Sequence, residues 1–406
     1  MRVLVLSEYF HPDHSGIANY ANDTALYLAE QGHQVTVATS FSWYPAWKKK
    51  PEDRGRLFRT DQWNGVRILR GYLFVPKTVS TLGRIIQELS FLLFALVNTL
   101  RAGQQDIVVS FTTPISLGVL GAIIAKLRGV PHFINVQDLQ LEAASSLDMI
   151  GNSPVLKVVE RFEFLSYHYS ARVSSISDGM LDVLRRKGMG REKLFYWPNW
   201  IDVSEAEAGG ETGEFRRKFP QFEGKRLLAY AGNIGQKQGL ECFVDLAAEY
   251  SDREDLAFLI VGGGAYIDTL KSYAAKKGEP VTFMPLLSPE EYSNFLSDVD
   301  LLFLSQKKTS KDVYFPSKLL GIWAKGKPVL VAADMASELF RVIHENRLGF
   351  AAPYGDAPAL NEAFNAFLEK GGEEEVKRSR AYVEQFDRKV VLAEMEKELK
   401  TLIGHG

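Results

Sequence analysis

The sequence is poor in cysteine and in excess charge, and both absences narrow what it can do. Cys242 is the single cysteine, so neither an intrachain disulfide nor a cluster of thiolate metal ligands can form. Such scarcity is typical of proteins in the reducing cytoplasm. With 48 basic and 50 acidic residues the net charge is -2, which gives no general attraction to nucleic acid. The opening MRVLVLSEYF has an apolar run too short for a signal peptide and predicts a first buried strand. We therefore expect a cytoplasmic protein.

The sequence also lacks an uninterrupted hydrophobic run of the roughly 20 residues needed to cross a bilayer. Its most apolar segment is residues 81–103, TLGRIIQELSFLLFALVNTLRAG, in which the longest run is FLLFALV. Lys77, Arg84 and Arg101 flank the apolar part of this segment. It predicts either a helix lying in a membrane interface beside anionic lipid, or an ordinary helix packed on a sheet. The first alternative places the protein at the inner face of the plasma membrane as a peripheral protein.

Short apolar runs alternate with amphipathic segments along the whole chain, a pattern typical of parallel sheets covered by helices on both faces. The predicted strands of the first half are RVLVL, QVTVAT, VRILRGYLF, DIVVSF, HFINV, RVSSI and KLFYW. Helices are predicted near 17–31, 82–101, 115–128, 154–170 and 178–188. After an acidic, glycine-rich connection at 203–213, a second series of strands begins: RLLAYAG, LAFLIVGGG, VTFMP, DLLFLS, PVLVAA and LGFAAP. The chain is therefore predicted to form two similar α/β domains, residues 1–200 and 201–386.

Ligands of open parallel sheets bind beyond the carboxyl ends of the strands, so the loops that follow strands are the candidate sites. In the second series, AGNIGQKQGLECF at 231–243 places Asn233, Lys237 and Gln238 at this edge. The stretch DVYFPSKLLG at 312–321 begins a helix with Pro316, Ser317 and Lys318, where free N–H groups, a hydroxyl and an ammonium suit a phosphate. Each stretch alone is compatible with an ordinary turn or cap. Together they predict two walls of one phosphate pocket.

Three other motifs point to weaker alternatives. No complete G-x-G-x-x-G follows a strand, since VGGGAYI lacks the last glycine, so a nicotinamide dehydrogenase is not expected. Asp298 and Asp300 form a D-x-D that could hold a cation, but their position favours a helix end and a strand entry. His11 and His14 flank an aspartate without an evident third ligand, so no metal site is predicted there.

In the first domain, the loop after the first strand carries Gly16, which allows close approach of a ligand to the backbone. The loop FSWYPAWKKK presents Trp43, Tyr44 and Trp47 next to three lysines. These aromatic rings could stack on a sugar, sit at a lipid headgroup boundary, or form a lid over the core. Their place just after a strand favours a functional role. Asp138 follows another strand directly and could either reach the ligand or cap the next helix.

Several of these segments occur in an order that resembles the GT-B glycosyltransferases, specifically the large retaining family 4. The segments are HPDHSGIANYANDTALYLAEQGHQVTV, VSSISDGM, WPNWID, YAGNIGQKQGLECF, FLIVGGGAYIDTL and FPSKLLGIWAKGKPVLVA. GNIGQKQGL, PNW and PSKL are most similar to the bacterial subgroup of colanic-acid fucosyltransferases and N-acetylfucosaminyl transferases. The resemblance implies a GT-B fold of two Rossmann-like parallel-sheet domains facing a cleft. It implies an acceptor held by residues 1–200, a nucleotide diphosphate sugar held by 201–386, and a final helix, 387–406, that packs back on the first domain.

The resemblance also implies roles for individual positions. Asn233 and Gln238 stand where many relatives keep an arginine and a lysine for the diphosphate, which leaves Lys237 and Lys318 to supply positive charge. The two glutamates that usually bind the donor sugar and ribose are replaced by Val313 and Gly321. The expected donor-binding residues are Gly16, Asn233, Lys237, Gln238, Leu286, Asp312, Tyr314, Phe315, Pro316 and Leu319, with Asp312 reaching the sugar hydroxyls and Leu286 in the segment that receives the base.

On the acceptor side, the expected contacts are Trp43, Tyr44, Trp47 and Gln137, the last at a place often held by a histidine near the reacting sugar. The family transfers sugar with retention, by front-face attack in which the departing phosphate takes the acceptor proton. Its enzymes therefore stabilise negative charge on the leaving diphosphate. Ser317, Lys318 and Asp138 are the expected catalytic residues, and no metal is required.

Two further functions remain open for the sequence. A GT-B sugar-nucleotide epimerase would convert its donor without an acceptor. A non-catalytic sugar-nucleotide-binding scaffold is conceivable because the two usual glutamates are missing. A glycosidase is disfavoured, since paired carboxylates across one site are not evident. The expected partners are a UDP- or GDP-sugar, a glycan or polyprenyl-linked acceptor, and a peripheral membrane contact.

Overall fold

A computed structural model describes residues 1–13, 16–44, 46–78, 80–139, 154–307 and 317–404. The chain divides into two compact units, one formed by Met1–Asn199 with Val391–Gly406 and the other by Trp200–Val390. Each unit contains its own parallel sheet with helices between the strands. This architecture confirms the predicted α/β fold class.

The first unit is built on an eight-stranded sheet. Its strands are β1 (Arg2–Leu6), β2 (Gln34–Ser40), β3 (Phe58–Trp63), β4 (Val66–Gly71), β5 (Ile107–Thr112), β6 (His132–Val136), β7 (Arg172–Ser175) and β8 (Leu194–Tyr196). Its helices are α1 (Ile17–Glu30), α2 (Thr81–Arg101), α3 (Ile115–Arg128), α4 (Pro154–Tyr169) and α5 (Asp178–Arg186). The strand order is β3-β4-β2-β1-β5-β6-β7-β8, and every neighbouring pair is parallel except β3 with β4.

The second unit has a six-stranded, all-parallel sheet. Its strands are β9 (Arg226–Asn233), β10 (Leu256–Gly263), β11 (Thr282–Met284), β12 (Leu301–Gln306), β13 (Val329–Ala333) and β14 (Phe350–Pro353). Helices α6 (Val203–Ala208), α7 (Glu214–Lys218), α8 (Glu241–Glu249), α9 (Ile267–Lys276) and α10 (Pro289–Asp298) precede α11 (Lys318–Ala324), α12 (Glu338–Asn346), α13 (Ala357–Lys370), α14 (Glu373–Val383) and α15 (Arg388–Gly404). The strand order is β11-β10-β9-β12-β13-β14.

All the predicted strands are present, and β3 is the strand that the periodicity did not predict. Its sequence FRTDQW is largely polar, and it lies at the sheet edge, where only one neighbour, β4, bonds to it. Arg59 and Arg70 both donate to Asp61 on this hairpin. These ion pairs hold an edge strand whose side chains bury little apolar surface.

Helix α2 packs on the first sheet through one face. Phe91 and Ala95 belong to the core, and the Asn98 amide donates to the Leu69 carbonyl oxygen of β4 at 3.1 Å. By length and composition this helix is also the one in the described part of the chain that is apolar enough to cross a membrane, although only 28% of its most apolar window is buried. The alternative of a helix packed on a sheet is therefore correct for its inner face.

The C-terminal helix α15 contributes Val391, Leu392 and Met395 as buried residues. Its Glu396 accepts a hydrogen bond from His33 Nε2 at 2.7 Å and another from the Tyr27 hydroxyl at 3.3 Å. The end of this helix thus belongs to the first unit, in contact with α1 and the turn that follows it.

The strand order reverses at one point in each sheet. In the first sheet the chain moves outward in opposite directions from the neighbouring strands β1 and β5, and in the second from β9 and β12. At such switch points the loops at the carboxyl ends diverge and leave a crevice that binds ligands in open α/β folds. The candidate sites are therefore sought after β1, β5, β9 and β12.

Candidate functional site

The switch point of the second sheet is occupied by the ammonium group of Lys318. The Lys318 Nζ donates to the carbonyl oxygen of Ala231 on β9 at 3.2 Å and lies 4.2 Å from the centre of the Tyr230 ring. It rests against Gly232, where a Cβ atom would stand only 3.2 Å from Nζ. The first residue of α11 therefore reaches across from the end of β12 to the end of β9.

This ammonium has little negative charge to compensate its burial. Burial of the ammonium group lowers the pKa of Lys318 to about 8. In the part of the chain that the structure describes, no carboxylate pairs with it. A lysine ammonium has three donors, and the Ala231 carbonyl takes one of them. The site is therefore suited to an anion that accepts the remaining donors and restores the charge balance.

Two glycines let the backbones of β9 and β10 meet beside this lysine. A Cβ at Gly262, whose φ is 137°, would lie 2.0 Å from the Gly232 carbonyl oxygen, so only glycine fits. This contact explains why the first glycine of the VGGG run is needed. Gly232 and Gly262 therefore serve the packing of two strands, and the incomplete dinucleotide fingerprint needs no cofactor to account for it.

The loop after β9 is held to the end of β12 by main-chain contacts. The Ser305 hydroxyl donates to the Gln238 carbonyl at 2.5 Å, and the Lys307 N–H donates to the Lys237 carbonyl at 2.9 Å. The side chain of Gln238 accepts from the Gly235 N–H within the loop, whereas Asn233 and Lys237 are exposed. These bonds fasten the loop to the end of β12, and the Gln238 side chain stabilises the turn of the loop itself.

The remaining donor-side residues differ in what they can offer. Ser317 and Leu286 are exposed, and the Ser317 hydroxyl makes no capping bond to α11. Leu319 is fully buried in the core, so only its backbone could reach a ligand. At Gly321 a Cβ would stand 3.5 Å from Ile201, which gives this position an apolar neighbour. The other predicted residues lie outside the described part of the chain: Asp312, Val313, Tyr314, Phe315 and Pro316.

The D-x-D carboxylates are used inside the fold, as the helix-end reading predicts. Asp298 ends α10 and accepts the N–H groups of Gly213 at 2.5 Å and Arg216 at 3.0 Å. Asp300 accepts the Leu227 N–H at 2.7 Å and the Arg216 guanidinium at 2.9 Å. Both carboxylates therefore fix the approach of α7 to β9 and β12.

The switch point of the first sheet holds a buried carboxyl group that the sequence reasoning missed. Glu8 follows β1, and its carbonyl oxygen accepts the hydroxyls of Thr39 at 3.1 Å and Ser40 at 2.9 Å. Burial, with a smaller contribution from the negative charge of Glu88, raises the pKa of Glu8 to about 8, and the Trp43 indole offsets a little of this rise. An acidic residue directly after a buried first strand was the signal in the sequence.

The aromatic loop is divided between the core and the surface. Trp43 is buried in the core cluster of the first unit, and the half-buried Trp47 packs against it with ring centres 4.9 Å apart. Tyr44 is the exposed ring, 6.0 Å from the ring of Tyr9. Trp43 therefore fits the lid alternative, and Tyr44 with Trp47 remains available to a ligand.

Three further predicted residues lie at the same edge of the first sheet. The buried Gln137 donates to the Asn135 side chain at 2.7 Å, so its amide is turned into the sheet. Asp138 is partly exposed just after β6. Gly16 immediately precedes α1 with a φ of 55°, and its α-carbon faces open space. Gly16 and Asp138 are therefore at least partly exposed, whereas the Gln137 amide is used in a hydrogen bond to Asn135.

Two doubly wound, mostly parallel sheets in one chain, each with a single switch point, are the architecture of the GT-B glycosyltransferases. Two family models match the chain: a glycosyl transferase 4-like domain over residues 15–200 and a glycosyl transferases group 1 domain over residues 211–386. The chain belongs to the GT-B glycosyltransferases of family 4.

Relatives and solved structures agree with this assignment. The chain is 29% identical over 347 residues, 84% of its length and 85% of the relative's, to WcaI of Escherichia coli, which is assigned to colanic acid biosynthesis as a glycosyl transferase. Sucrose-phosphate synthase from Thermosynechococcus elongatus has a TM-score of 0.71 at 16% identity, covering 100% of both chains. HepE from Anabaena in complex with UDP has a TM-score of 0.70 at 14% identity, covering 99% of this chain and 100% of its own. At these identities the two structures support the fold alone.

The raised pKa of Glu8 predicts a specific dependence of stability on pH. Between its unfolded pKa near 4.5 and the folded value of about 8, the folded protein holds the proton and the unfolded chain does not, so stability falls as pH rises. Glu8→Gln should remove this loss. Relative to the wild type, the variant should gain about 4 kcal/mol between pH 5 and pH 8.5.

Thermal denaturation across that pH range measures the difference, with the exposed Glu30→Gln as the matched control. The control should follow the wild type at every pH. Parallel curves for the wild type and Glu8→Gln would show that the buried carboxyl is not protonated in the folded protein.

Proposed function

We propose that the protein is a retaining hexosyltransferase that moves a sugar from a UDP- or GDP-sugar to a glycan or polyprenyl-linked acceptor in surface polysaccharide biosynthesis. The single observation that carries the proposal is the half-buried ammonium of Lys318, which has no described carboxylate partner, at the switch point of the second sheet. A nucleotide diphosphate supplies the anion that this position needs. The match to a glycosyl transferase assigned to colanic acid biosynthesis supports the polysaccharide context.

The donor side follows from the placement of charge. Lys318 can contact the diphosphate with its free donors, and the exposed Lys237 in the β9 loop offers a second cation at the same edge. Asn233 is exposed on that loop and supplies uncharged hydrogen-bonding groups. Leu286 follows β11 as an exposed apolar residue suited to a base. HepE, a protein of the same fold, was solved in complex with UDP, which is compatible with a nucleotide ligand here.

Sugar transfer requires that the enzyme stabilise the leaving diphosphate. As the bond between the sugar and the diphosphate breaks, negative charge grows on the diphosphate oxygens. An ammonium already held in place by Ala231 and Tyr230 stabilises this charge without reorganisation. The Ser317 hydroxyl, which makes no capping bond to α11, can donate to the same oxygens. Transfer with retention then needs no strong base, because the departing phosphate takes the acceptor proton.

The acceptor side is assigned to the carboxyl edge of the first sheet. Tyr44 and Trp47 provide rings that can stack on a sugar. Glu8 and Asp138 are carboxyl groups at the same edge, and the raised pKa of Glu8 would let it donate a hydrogen bond to an acceptor hydroxyl at neutral pH. We place the protein in the cytoplasm, where nucleotide sugars are made available to such enzymes.

Transfer of a labelled sugar tests the proposal. The purified protein is incubated with UDP- and GDP-sugars and a lipid extract, and the anomeric configuration of the product is read by NMR. Ser317→Ala with Lys318→Met should lower kcat by about 100- to 1000-fold, the cost of losing a donor to a developing oxyanion. The exposed Ser251→Ala with Lys276→Met is the matched control and should transfer at the wild-type rate.

The outcomes separate the alternatives. An inverted product would contradict retention, and an unaltered turnover rate in the double variant would contradict the roles of Ser317 and Lys318. Isomerised donor without acceptor would show an epimerase, and binding without any conversion would show a scaffold.

We also propose that transfer needs no divalent metal. Asp298 and Asp300 accept hydrogen bonds from backbone N–H groups and from Arg216, so these two carboxylates are engaged in stabilising the fold. Transfer rates should therefore be the same in EDTA and in manganese. Loss of activity in EDTA that manganese restores would overturn this part of the mechanism.

A further inference from the structure

Helix α2 carries its most apolar face toward solvent. The exposed residues of this face are spaced by alternating steps of four and three, which places them in one line along the helix. We call them the aliphatic stripe: Leu82, Ile86, Leu89, Leu93, Leu96 and Leu100. The stripe is about 27 Å long at 1.5 Å per residue. In the described part of the chain nothing covers it.

The inner face of the same helix is more polar than the outer one. Its buried residues include Gln87, Asn98 and Thr99, together with Gly83 and Ala95. Their polar groups are used locally: Asn98 donates to the Leu69 carbonyl, and the Thr99 hydroxyl donates to the Leu96 carbonyl. Stability of the first unit therefore does not require leucines on the outer face, and the stripe calls for another explanation.

The apolar surface continues onto α3. Helices α2 and α3 contact each other, and the β4–α2–β5 and β5–α3–β6 crossovers advance in the same direction along the sheet. Right-handed crossovers in the same direction place both helices on one sheet face, so their outer sides point the same way. Ile123 and Leu127 are the exposed aliphatic residues of α3.

The charges on the segments that form this surface are mostly positive. The segments 77–101 and 115–128 contain five basic residues and one acidic residue, Glu88. The basic residues are Lys77, Arg84, Arg101, Lys126 and Arg128. Of these, Arg101 donates to the Asn98 side chain and Arg128 to the Thr99 carbonyl. Glu88 accepts a hydrogen bond from the Ser116 hydroxyl and so is partly engaged. An apolar strip bordered by cations matches the boundary between acyl chains and acidic headgroups.

We infer that the outer faces of α2 and α3 dock in the plane of a membrane surface that contains anionic phospholipid. The inner face of α2 stays on the sheet, so the helix lies along the bilayer and does not cross it. A second copy of the chain fits less well, because a symmetric contact through the stripe would bring the same basic residues together. If the proposed function holds, this docking would present the enzyme to an acceptor carried on a lipid anchor.

Flotation of the full chain with vesicles tests the inference without any donor or acceptor. The wild type should float with vesicles that contain about one third phosphatidylglycerol in phosphatidylcholine, and should bind phosphatidylcholine alone less well. Leu89→Gln with Leu93→Gln should weaken binding by about tenfold or more, because two exposed aliphatic side chains no longer enter the acyl boundary. Lys77→Gln with Arg84→Gln should abolish the preference for phosphatidylglycerol and leave the weaker binding.

A matched control separates the stripe from apolar exposure in general. Leu57 and Met335 are 55% and 62% exposed, close to the 61% and 59% of Leu89 and Leu93. Leu57→Gln with Met335→Gln should float like the wild type. This variant and Leu89→Gln with Leu93→Gln should both keep the wild-type Tm. The inference would be overturned if the wild type does not bind anionic vesicles. This holds if the protein is monomeric. It also holds if the protein forms a dimer that Leu89→Gln with Leu93→Gln dissociates. Failure of sugar transfer alone would leave the vesicle result standing.

Discussion

One interaction underlies the proposed donor site: a half-buried lysine ammonium at the switch point of a parallel sheet has no described carboxylate beside it, and a bound anion would balance its charge. Lys318 reaches this point because α11 begins directly at the carboxyl edge, and because Gly232 leaves room for its Nζ. The Ala231 carbonyl and the Tyr230 ring stabilise the cation only in part, which is why its pKa falls to about 8. A diphosphate completes the charge balance, and the same geometry stabilises the charge that grows on it during transfer.

Each sheet reverses its strand order at one switch point, but the ionisable groups beside the two switch points differ. In the second sheet the crevice between β9 and β12 holds a cation, whereas in the first sheet the loop after β1 holds Glu8, whose pKa is raised by burial. A positive site suits the nucleotide diphosphate, and a carboxyl that keeps its proton at neutral pH suits the hydroxyls of a glycan. These two groups are the basis on which we propose that the second unit binds the donor and the first unit binds the acceptor.

The strands were predictable from their apolar runs, and the loops that carry Lys318, Lys237 and Asp138 followed from strand order. The edge strand β3 was not predictable, because it has no apolar pattern and ion pairs around Asp61 stabilise it instead. Nor could the sequence tell a lid from a binding surface at Trp43, since burial of an indole depends on what packs over it. On α2, periodicity revealed two faces but not that the polar one, with Gln87 and Asn98, turns inward.

Proton uptake on binding of a nucleoside diphosphate tests the central claim most directly. Calorimetry at pH 9 in buffers of different ionisation enthalpy measures it, because the diphosphate is fully ionised there and contributes no proton of its own. With a pKa of about 8 in the free protein, Lys318 is mostly neutral at this pH and should regain its charge against the diphosphate. The account predicts that the wild type takes up about one proton more than Lys318→Met. Equal heats in all buffers for the wild type, with tight binding retained, would contradict it.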